Sequence, residues 1–484
     1  MAKTNSYDAI IIGAGPNGLA AAITIARAGH SVLVLEAKET IGGGCRSAEV
    51  TLPGFTHDIC SAIHPLGLAS PFFRSLPLEK YGVEWIHPEL PLAHPFDDGS
   101  AALIDRSLDK TGESLGKDAA AYKKLMGPLV ENWETIIDAF LGPLRPQAVI
   151  PHPFTMAHFG LAALRSAEGL VHTHFRERAA RAIFAGMAGH SMLQLDTPGT
   201  AAVGLMLGIL AHAVGWPLPK GGSQKIVNAL AAHLRDLGGE IVTGVEVKSL
   251  DSLPPSKVVL CDVTPRQLLR IAGDHLEGFS GLYKRQLQHY RYGPGVFKLD
   301  IALDGPIPWK AEACKGAGTV HLGGTLPGII ASEKAIWQGE HAEQPLVLLA
   351  QQSLFDDTRA PDDKHTVWAY CHVPHGSDFD MAERIEAQIE RFAPGFRERI
   401  LARHSTNAVE LEHYNANYVG GDINGGVQDL LQLFTRPTVS PMPYTTPDRH
   451  LYICSSSTPP GGGVHGMCGY FAARSALHYL ESKE

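Results

Sequence analysis

The chain has 484 residues, of which 44% are hydrophobic and 19% are charged, and its formal net charge is −9. This length suits two or three domains with a sizeable core, and a negative charge without a Lys/Arg cluster argues against nucleic acid as a partner. The seven cysteines form no C-x-x-C pair, which favours reduced thiols in the cytoplasm and gives no support to disulfide reductase chemistry.

The first predicted unit is a strand, a glycine turn and a helix. The uncharged residues 9–12 predict a strand buried on both faces, and the apolar residues 19–28 predict a helix that ends at Gly29. Between them lies Gly13-Ala14-Gly15-Pro16-Asn17-Gly18, which has the G-x-G-x-x-G spacing of dinucleotide-binding proteins. Because this unit starts so early, we expect no signal peptide before it.

Each glycine of this turn has a separate physical role. Gly13 permits the tight turn, Gly15 lets a pyrophosphate approach the backbone, and Gly18 lets the helix pack closely on the strand. The helix N-terminus adds free N–H groups and a partial positive charge for the phosphates. A second strand at 31–35 ends in Glu36, whose carboxylate would accept hydrogen bonds from an adenosine ribose and repel a 2′-phosphate. The pattern therefore favours FAD or NAD over NADP.

Two short segments after Glu36 indicate further ligand contacts. Ile41-Gly42-Gly43-Gly44-Cys45-Arg46-Ser47 combines backbone N–H groups with a fixed cation, which suits a second phosphate contact. The alternative for this segment is a flexible loop with a surface arginine. His57, Asp58 and His64 form a cluster suited to acid–base chemistry or to a metal. Their spacing matches no zinc pattern, so we expect a loop near a ligand without a metal.

The middle of the chain predicts a second, largely helical region that covers a ligand site. Helix-like stretches occur at 117–140, 155–167 and 175–188. Residues 197–218 are uncharged and long enough for a membrane span, but they are rich in Gly and Ala and contain His212. We therefore expect a buried helix that lines an apolar pocket, while peripheral membrane contact stays open.

After residue 219 the pattern returns to alternating helix and strand. A helix at 225–237, a strand at 240–247 and a strand at 257–261 ending in Asp262 fit the first sheet. We therefore predict a discontinuous nucleotide-binding domain formed by residues 1–70, 219–290 and 411–484. The remaining residues, 71–218 and 291–410, are predicted to form a substrate or cap domain.

Strands dominate from about residue 290, at 296–303, 346–349 and 365–373, and a helix is predicted at 381–402. In the third of these strands Trp368, Tyr370 and His372 share one face, either as core packing or as a wall that faces substrate. Gly316-Ala317-Gly318 is not a second nucleotide loop, because no apolar strand leads into it and no helix follows.

The last informative stretch is another strand, glycine loop and helix. A strand at 451–454 leads through Ser, Thr and Pro into Gly461-Gly462-Gly463, and a helix is predicted to begin near Val464. Glycines before a helix present backbone N–H donors at the positive end of its dipole. A flavin ring needs such donors at its pyrimidine carbonyl groups, where negative charge accumulates on reduction.

The combination of these motifs resembles the flavin-dependent amine oxidase and phytoene desaturase superfamily. Within it the chain is similar to the phytoene dehydrogenase-related branch that includes pyridine nucleotide-disulphide oxidoreductase domain protein 2. The resemblance extends along nearly the whole chain. The segments that carry the closer match are His57-Asp58-Ile59-Cys60-Ser61 with His64-Pro65, Asp357-Thr358-Arg359-Ala360-Pro361, Asn417-Tyr418-Val419-Gly420-Gly421-Asp422 and Pro460-Gly461-Gly462-Gly463-Val464-His465-Gly466.

This resemblance implies an α/β protein with one non-covalent FAD in a discontinuous Rossmann-like domain, and an inserted α+β substrate domain that closes over the flavin. It implies pyrophosphate contacts from Gly13, Gly15 and Gly18, ribose contacts from Glu36, and an approach of Arg46 to the phosphates. Val247 would touch the adenine. The remaining implied cofactor contacts are Pro16, Asn17, Ala37, Gly43, Gly44, Cys45, Gly462, Gly463 and Val464. The sequence departs from many such proteins at Ser455-Ser456-Ser457, where a Gly-Asp pair would hold the ribityl chain.

The sequence therefore predicts an FAD-dependent oxidoreductase that removes hydride from an apolar substrate, of the polyene or isoprenoid kind. Oxygen or a quinone would receive the electrons, and no metal is expected. The candidates for acid–base roles are His57, Asp58, His64 and His465. Three alternatives remain: a flavin amine oxidase, a non-catalytic FAD-binding interaction or regulatory protein, and a soluble NAD-binding protein. The sequence leaves the oligomeric state open.

Overall fold

A computed structural model of the protein describes residues 6–143, 152–277 and 281–482. The proline-containing segments 142–146 and 151–153, which the sequence predicts to be turns between the helix-like stretches, lie partly outside these ranges. The described strands are β1 (Tyr7–Ile12), β2 (Val32–Leu35), β3 (Ser47–Ala48), β4 (His57–Asp58), β5 (Trp85–Ile86), β6 (Leu90–Pro95), β7 (Ala101–Ile104), β8 (Leu218–Pro219), β9 (Glu240–Val242), β10 (Ser256–Cys261), β11 (Gly295–Leu303), β12 (Ala317–Leu322), β13 (Val347–Ala350), β14 (His365–Val373), β15 (Ile400–Thr406) and β16 (Leu451–Ile453).

The helices surround the two larger sheets that these strands form. The described helices are α1 (Pro16–Arg27), α2 (Pro65–Ala69), α3 (Pro71–Arg74), α4 (Leu108–Leu115), α5 (Ala119–Glu131), α6 (Trp133–Phe140), α7 (Pro153–Ala163), α8 (Ala167–His174), α9 (Arg178–Gly189), α10 (Thr200–Ala213), α11 (Gln224–Asp236), α12 (Pro265–Ala272), α13 (Leu282–Gln288), α14 (Leu326–Trp337), α15 (Ala382–Phe392), α16 (Ala408–Tyr414), α17 (Leu430–Thr435) and α18 (Met467–Glu481).

The first sheet is parallel throughout, with the strand order β16-β10-β1-β2-β9. Its central strand alternates its apolar side chains between two cores: Ile11 packs with α1, α11 and α18, and Ile10 packs with α12 and α13. Both faces are therefore covered by helices, which is why residues 9–12 of the central strand are all apolar. The predicted mixed α/β class with a Rossmann-like unit is confirmed. The boundaries of the two domains remain a prediction.

The second sheet is mixed and has the strand order β15-β11-β14-β13-β12-β6-β7. Its pairs are antiparallel except β12 with β6. On one face Leu299 and Val367 pack with Ile385 and Ile389 of α15 in a second apolar core. The opposite face carries Trp368 and its neighbours, and this face turns toward the first sheet and the functional site.

Several predicted elements have different boundaries in the structure. The predicted helix at 381–402 is wrong after Phe392, because Pro394 and Gly395 (φ +87°) end it and residues 400–406 pair with β11. The predicted strand at 240–247 ends at Val242, because Gly244 (φ +71°) turns the chain. The last helix begins at Met467 instead of near residue 464.

The middle region is less uniformly helical than predicted. The short strands β5, β6 and β7 lie within it, and β6 joins the second sheet beside β12. The predicted helix at 117–140 is two helices that meet at Asn132. The uncharged segment at 197–218 contains α10, a largely buried helix of 14 residues. Among the described residues no helix has both the length and the apolar character needed to cross a membrane.

Candidate functional site

One cavity of about 800 Å³ lies between the carboxyl ends of the parallel strands and the second sheet. Residues from both ends of the chain meet on its wall. The predicted cofactor contacts that line it are Gly13, Gly15, Pro16, Asn17, Glu36, Ala37, Gly43, Gly44, Arg46, Val247, Gly462, Gly463 and Val464. Two others lie behind the wall. Gly18 packs against the turn itself, and Cys45 is fully buried with its Sγ 3.5 Å from Oγ of Ser61.

The glycine turn leaves open space where a dinucleotide phosphate is predicted. Gly13 has φ +103°, and a Cβ on Gly18 would lie 2.0 Å from the carbonyl oxygen of Gly13. Oδ1 of Asn17 is buried without a hydrogen-bond partner in the described part of the chain, and Asn17 lines the cavity. This unpaired buried acceptor fits a sugar hydroxyl of a dinucleotide, which donates, whereas the phosphate oxygens only accept. The residues present therefore fit a bound dinucleotide.

Glu36 is held in place by backbone and side-chain donors. Its Oε2 accepts from the amide of Ala14 at 2.9 Å, and its Oε1 accepts from the amide of Lys38 at 2.9 Å. The guanidinium of Arg46 lies 3.3 Å from Oε1 and also donates to the carbonyl oxygen of Thr40 at 2.7 Å. Arg46 is thus beside the predicted ribose carboxylate, and its contact with the phosphates remains a prediction.

Replacing Glu36 with alanine is expected to weaken FAD retention at least tenfold. The change removes the predicted acceptor for the ribose and leaves the amides of Ala14 and Lys38 without their partner, and a charge-assisted hydrogen bond contributes about 1.5–3 kcal/mol. FAD content per chain after extensive dialysis measures the effect. Replacing the exposed Glu39 with alanine is the control. Unchanged FAD occupancy in the Glu36 variant would show that the ribose assignment is wrong.

Asp262 follows β10 and brings a carboxyl group to the N-terminus of α1. Its Oδ2 accepts from the amide of Gly18 at 2.8 Å, and Asp262 lines the cavity. Burial raises the pKa of this carboxyl to about 7; the hydrogen bond from Gly18 opposes the shift, and the charge of Glu36 adds a smaller rise. A protonated Asp262 removes a negative charge from the region where the phosphates are predicted to bind.

The Asp262→Asn variant is expected to be more stable than the wild type above pH 7. Because the pKa of Asp262 is raised in the folded state, the wild-type chain loses stability as pH rises from about 4, the unfolded pKa, to about 7. Asparagine keeps an acceptor for Gly18 and does not titrate. Urea unfolding at pH 5 and pH 8 gives the difference in free energy of unfolding between Asp262→Asn and the wild type. This difference should be larger at pH 8 than at pH 5 by at least about 1.4 kcal/mol, the free energy of one pKa unit. Equal differences at the two pH values would contradict this.

Of the four predicted acid–base candidates, His64 alone lines the cavity. Its Nε2 lies 2.8 Å from Oγ of Ser223, and burial lowers the pKa of His64 to about 4. His465 is fully buried, and its Nδ1 accepts from the amide of Met467 at 3.0 Å. His57 and Asp58 are buried behind the wall, Asp58 in an ion pair with Arg359. Within the described ranges no cluster of His, Cys, Asp and Glu side chains could hold a metal ion.

The aromatic side chains of β14 contribute to the wall. Trp368 and Tyr370 line the cavity, with ring centroids 5.0 Å apart and planes at 74°. His372 does not line it; its Nδ1 lies 2.8 Å from Oε2 of Glu333. This strand face was interpreted either as core packing or as a wall of a ligand site. Trp368 and Tyr370 form part of the cavity wall, whereas His372 does not.

A buried ion pair on the neighbouring strand is a site feature that the sequence reasoning missed. Lys298 lines the cavity, pairs with Asp300 and lies 5.5 Å from the ring centroid of Trp368. Burial lowers the pKa of Lys298, although the charge of Asp300 opposes the shift. His57 lies behind this pair, with its Nδ1 3.5 Å from Asp300. The sequence does contain a sign of this ion pair: Lys298 and Asp300 are the two charged residues in an otherwise apolar strand. Charged side chains in the core of a sheet need a partner.

Another part of the wall is largely apolar. Helix α10 supplies Val203, Met206 and Leu207, and α6 supplies Phe140. Trp216 donates from its indole nitrogen to the carbonyl oxygen of Leu207 at 3.2 Å, which leaves its ring as an apolar surface. The segment at 197–218 therefore lines an apolar pocket.

The chain is similar to several known proteins. Residues 11–76 match the family model of an NAD(P)-binding Rossmann-like domain. Pyridine nucleotide-disulfide oxidoreductase domain-containing protein 2 of Rattus norvegicus is 26% identical over 98% of this chain and 94% of its own length. The chain is a homologue of oxidoreductases. The predicted resemblance to this branch and to the phytoene desaturase and amine oxidase proteins is thereby confirmed.

Two further similarities extend this relationship. Phytoene desaturase of Fusarium fujikuroi is 28% identical over 53% of this chain and 46% of its own length. The solved structure of putrescine oxidase bound to putrescine has a TM-score of 0.61 and covers 99% of both chains, at 18% identity. At that identity the likeness shows the shared fold, while the substrate of this chain is a separate question.

Proposed function

We propose that the protein is an FAD-dependent oxidoreductase that removes hydride from an apolar substrate of the polyene or isoprenoid kind. The observation that carries this proposal is one continuous cavity, which joins the glycine turn and Glu36 to an apolar chamber past residues 462–464. The glycines at 43–44 and 462–463 extend the ligand site beyond the first Rossmann unit. Such an extension supports FAD, because the loop at 462–464 presents backbone N–H donors that suit the pyrimidine carbonyl groups of a flavin ring.

The chain would bind and orient this cofactor while the chemistry itself belongs to the flavin. FAD, when bound, would supply an acceptor for the hydride that leaves a substrate C–H bond. Gly13, Gly15 and Glu36 would hold the adenosine half, and the loop at 462–464 would hold the ring. Trp368, Tyr370 and Met206 would exclude water and orient an apolar chain. Oxygen or a quinone would reoxidise the flavin.

The cofactor is tested first, by the visible spectrum of the purified protein and by analysis of a denatured extract. We expect flavin absorption and FAD in the extract at close to one per chain. The substrate class is tested by anaerobic flavin bleaching with polyenes, isoprenoids and amines, followed by mass spectrometry of the product. A colourless protein without FAD in the extract would favour an NAD-binding protein and overturn the proposal.

The second candidate is an amine oxidase, favoured by the aromatic pair Trp368 and Tyr370 on the wall and by the fold shared with putrescine oxidase. Against it, Asp300 already pairs with Lys298, so its carboxylate is not available to a protonated amine. Bleaching by amines with no response to isoprenoids would select this candidate. Bound FAD that no substrate reduces would select a non-catalytic role.

A further inference from the structure

A small polar patch interrupts the apolar chamber. His190 follows the last residue of α9, and Thr319 lies on β12; both line the cavity. The ring of Trp216 contacts this patch, with its centroid 6.2 Å from that of His190. Leu348, which also lines the cavity, is paired across the sheet with His321. The patch is therefore a defined polar point in largely apolar surroundings.

His321 lies behind His190 and fixes how that imidazole is presented to the cavity. The two Nε2 atoms are 3.1 Å apart, and His321 is fully buried. In such a contact one nitrogen donates and the other accepts, so at most one of the two rings carries a charge. With Nε2 engaged, Nδ1 of His190 forms no hydrogen bond to a residue that the structure describes. That atom is available to a ligand as a donor or an acceptor, depending on the tautomer.

Thr319 supplies a second unmet polar group on the same face of the sheet. It lies two residues before His321 on β12, so the two side chains project to the same side. Its Oγ1 is buried without a hydrogen-bond partner in the described ranges, although the residue lines the cavity. A buried hydroxyl without a partner is costly, and a ligand that supplies the partner recovers that free energy.

The patch is electrically neutral. Burial lowers the pKa of His190 to about 3 and the pKa of His321 well below its usual range. The charged groups on nearby strands are already paired: Lys298 with Asp300, and Glu333 with His372. A ligand carboxylate placed here would be buried without a counter-ion, and that costs far more than burying a neutral polar group with its hydrogen bonds formed.

We propose that His190 and Thr319 form a subsite for a neutral oxygen function, a hydroxyl or a carbonyl, on an otherwise apolar substrate. This inference rests on the proposed function, because it names the substrate class of the same cavity. A hydroxyl both donates and accepts, so it satisfies either tautomer of His190 together with Oγ1 of Thr319. Substrates would thus be amphipathic, with an isoprenoid-like chain against Trp216 and Leu348 and one oxygen at the patch.

Three ligands with the same chain test this proposal: farnesene, farnesol and farnesoic acid. Binding to the purified full-length protein is followed by quenching of tryptophan fluorescence, since Trp216 and Trp368 both line the cavity. We expect farnesol to bind at least tenfold more tightly than farnesene and farnesoic acid. Equal binding of farnesene and farnesol, or tightest binding of the acid, would overturn the proposal.

Two variants of similar size or shape test whether the preference for farnesol depends on His190 and Thr319. Thr319→Val and His190→Phe should each weaken farnesol about tenfold, which corresponds to about 1.4 kcal/mol, and leave farnesene unchanged or slightly tighter. The control is His233→Phe, which removes a buried imidazole that pairs with Tyr81 away from the cavity. Equal loss of both ligands in the Thr319 and His190 variants would indicate a general packing defect and contradict a polar subsite.

Different results would overturn the subsite and the proposed oxidoreductase function. Tryptophan quenching does not require flavin, so selective farnesol binding by a protein without FAD would leave the subsite standing and overturn the proposed oxidoreductase function. Flavin bleaching that is identical for farnesene and farnesol, in the wild type and in both variants, would leave the oxidoreductase function standing and overturn the subsite. Far-UV circular dichroism of each variant confirms that the fold is retained.

Discussion

Replacing Arg359 with methionine is expected to lower the free energy of unfolding by about 3–5 kcal/mol, the usual cost of removing one partner of a buried ion pair. Arg359 and Asp58 are both fully buried, and the guanidinium donates to Asp58 at 2.9 Å and to Asp356 at 2.8 Å. Without Arg359, two carboxylates remain in the interior without a cation. Urea unfolding followed by circular dichroism measures the loss.

Two controls separate this effect from the loss of any arginine. Arg74→Met breaks an ion pair with Glu134 that is about half exposed, and it should cost less than about 1 kcal/mol. Arg359→Lys keeps the charge but cannot bridge two carboxylates through a planar fork, so it should rescue only part of the loss. A cost below 1 kcal/mol for Arg359→Met would show that the pair is not essential to the fold.

The pH dependence of the same variant gives an independent check. Burial raises the pKa of Asp58, but the charge of Arg359 and hydrogen bonds from Ser47 and Ser223 outweigh it, so the pKa lies below its usual range. Because the pKa of Asp58 is lower in the folded chain than in the unfolded chain, its ionised carboxylate stabilises the fold above about pH 4, the pKa in the unfolded chain. This stabilisation is lost as the pH falls below about 4. The difference between wild type and Arg359→Met should therefore shrink in acid.

Gly469→Ala is expected to destabilise the protein by about 3 kcal/mol and to abolish FAD retention. A Cβ at this position would lie 1.8 Å from the carbonyl oxygen of Asn17, a backbone atom that cannot rotate away. Helix α18 would have to move from α1, and overpacking of this kind costs about 1–3 kcal/mol. Because the glycine loop at 461–463 leads into α18, the movement would also separate the two halves of the predicted cofactor site.

The matched control is the same substitution where the structure has room. Gly160 lies within α7, and no atom is within 4 Å of a Cβ placed on it. Gly160→Ala should raise the free energy of unfolding by about 0.5–1 kcal/mol, because alanine is the better helix former. Thermal unfolding and FAD content measure both variants. If Gly469→Ala retained FAD like the wild type, the close helix crossing would not be required for the site.

The nucleotide-binding turn could be predicted from the sequence because all the residues that form it are close together in the chain. Gly13, Gly15 and Glu36 occur within one short strand-turn-helix-strand segment, and their spacing follows from backbone geometry alone. The late glycine loop was predicted in the same way, although α18 begins three residues later than expected, after Gly466 with φ +70°. In both cases the sequence pattern is a group of glycines at a sharp turn just before a helix.

The rest of the site depends on pairings between distant segments, which no local pattern encodes. Lys298 becomes part of the wall because β11 pairs with β14, and this places its charge beside Trp368. Asp58 was predicted as an acid–base candidate from its neighbours in sequence, but its partner Arg359 lies about 300 positions away. The segments around these two residues were also among those that carried the family resemblance, and the structure gives a reason: they form one ion pair.

The order of strands in the parallel sheet has a consequence for how the protein is made. The nucleotide sheet takes β1 and β2 from the beginning of the chain, β9 and β10 from the middle, and β16 from residues 451–453. During translation the glycine turn is synthesised well before β10 and β16, with which β1 shares the sheet. The nascent chain therefore carries an unfinished, apolar half-sheet throughout most of translation. Cofactor capture should be a post-translational event, and a cell that produces this protein rapidly should depend on chaperones that shield β1 until β10 and β16 arrive.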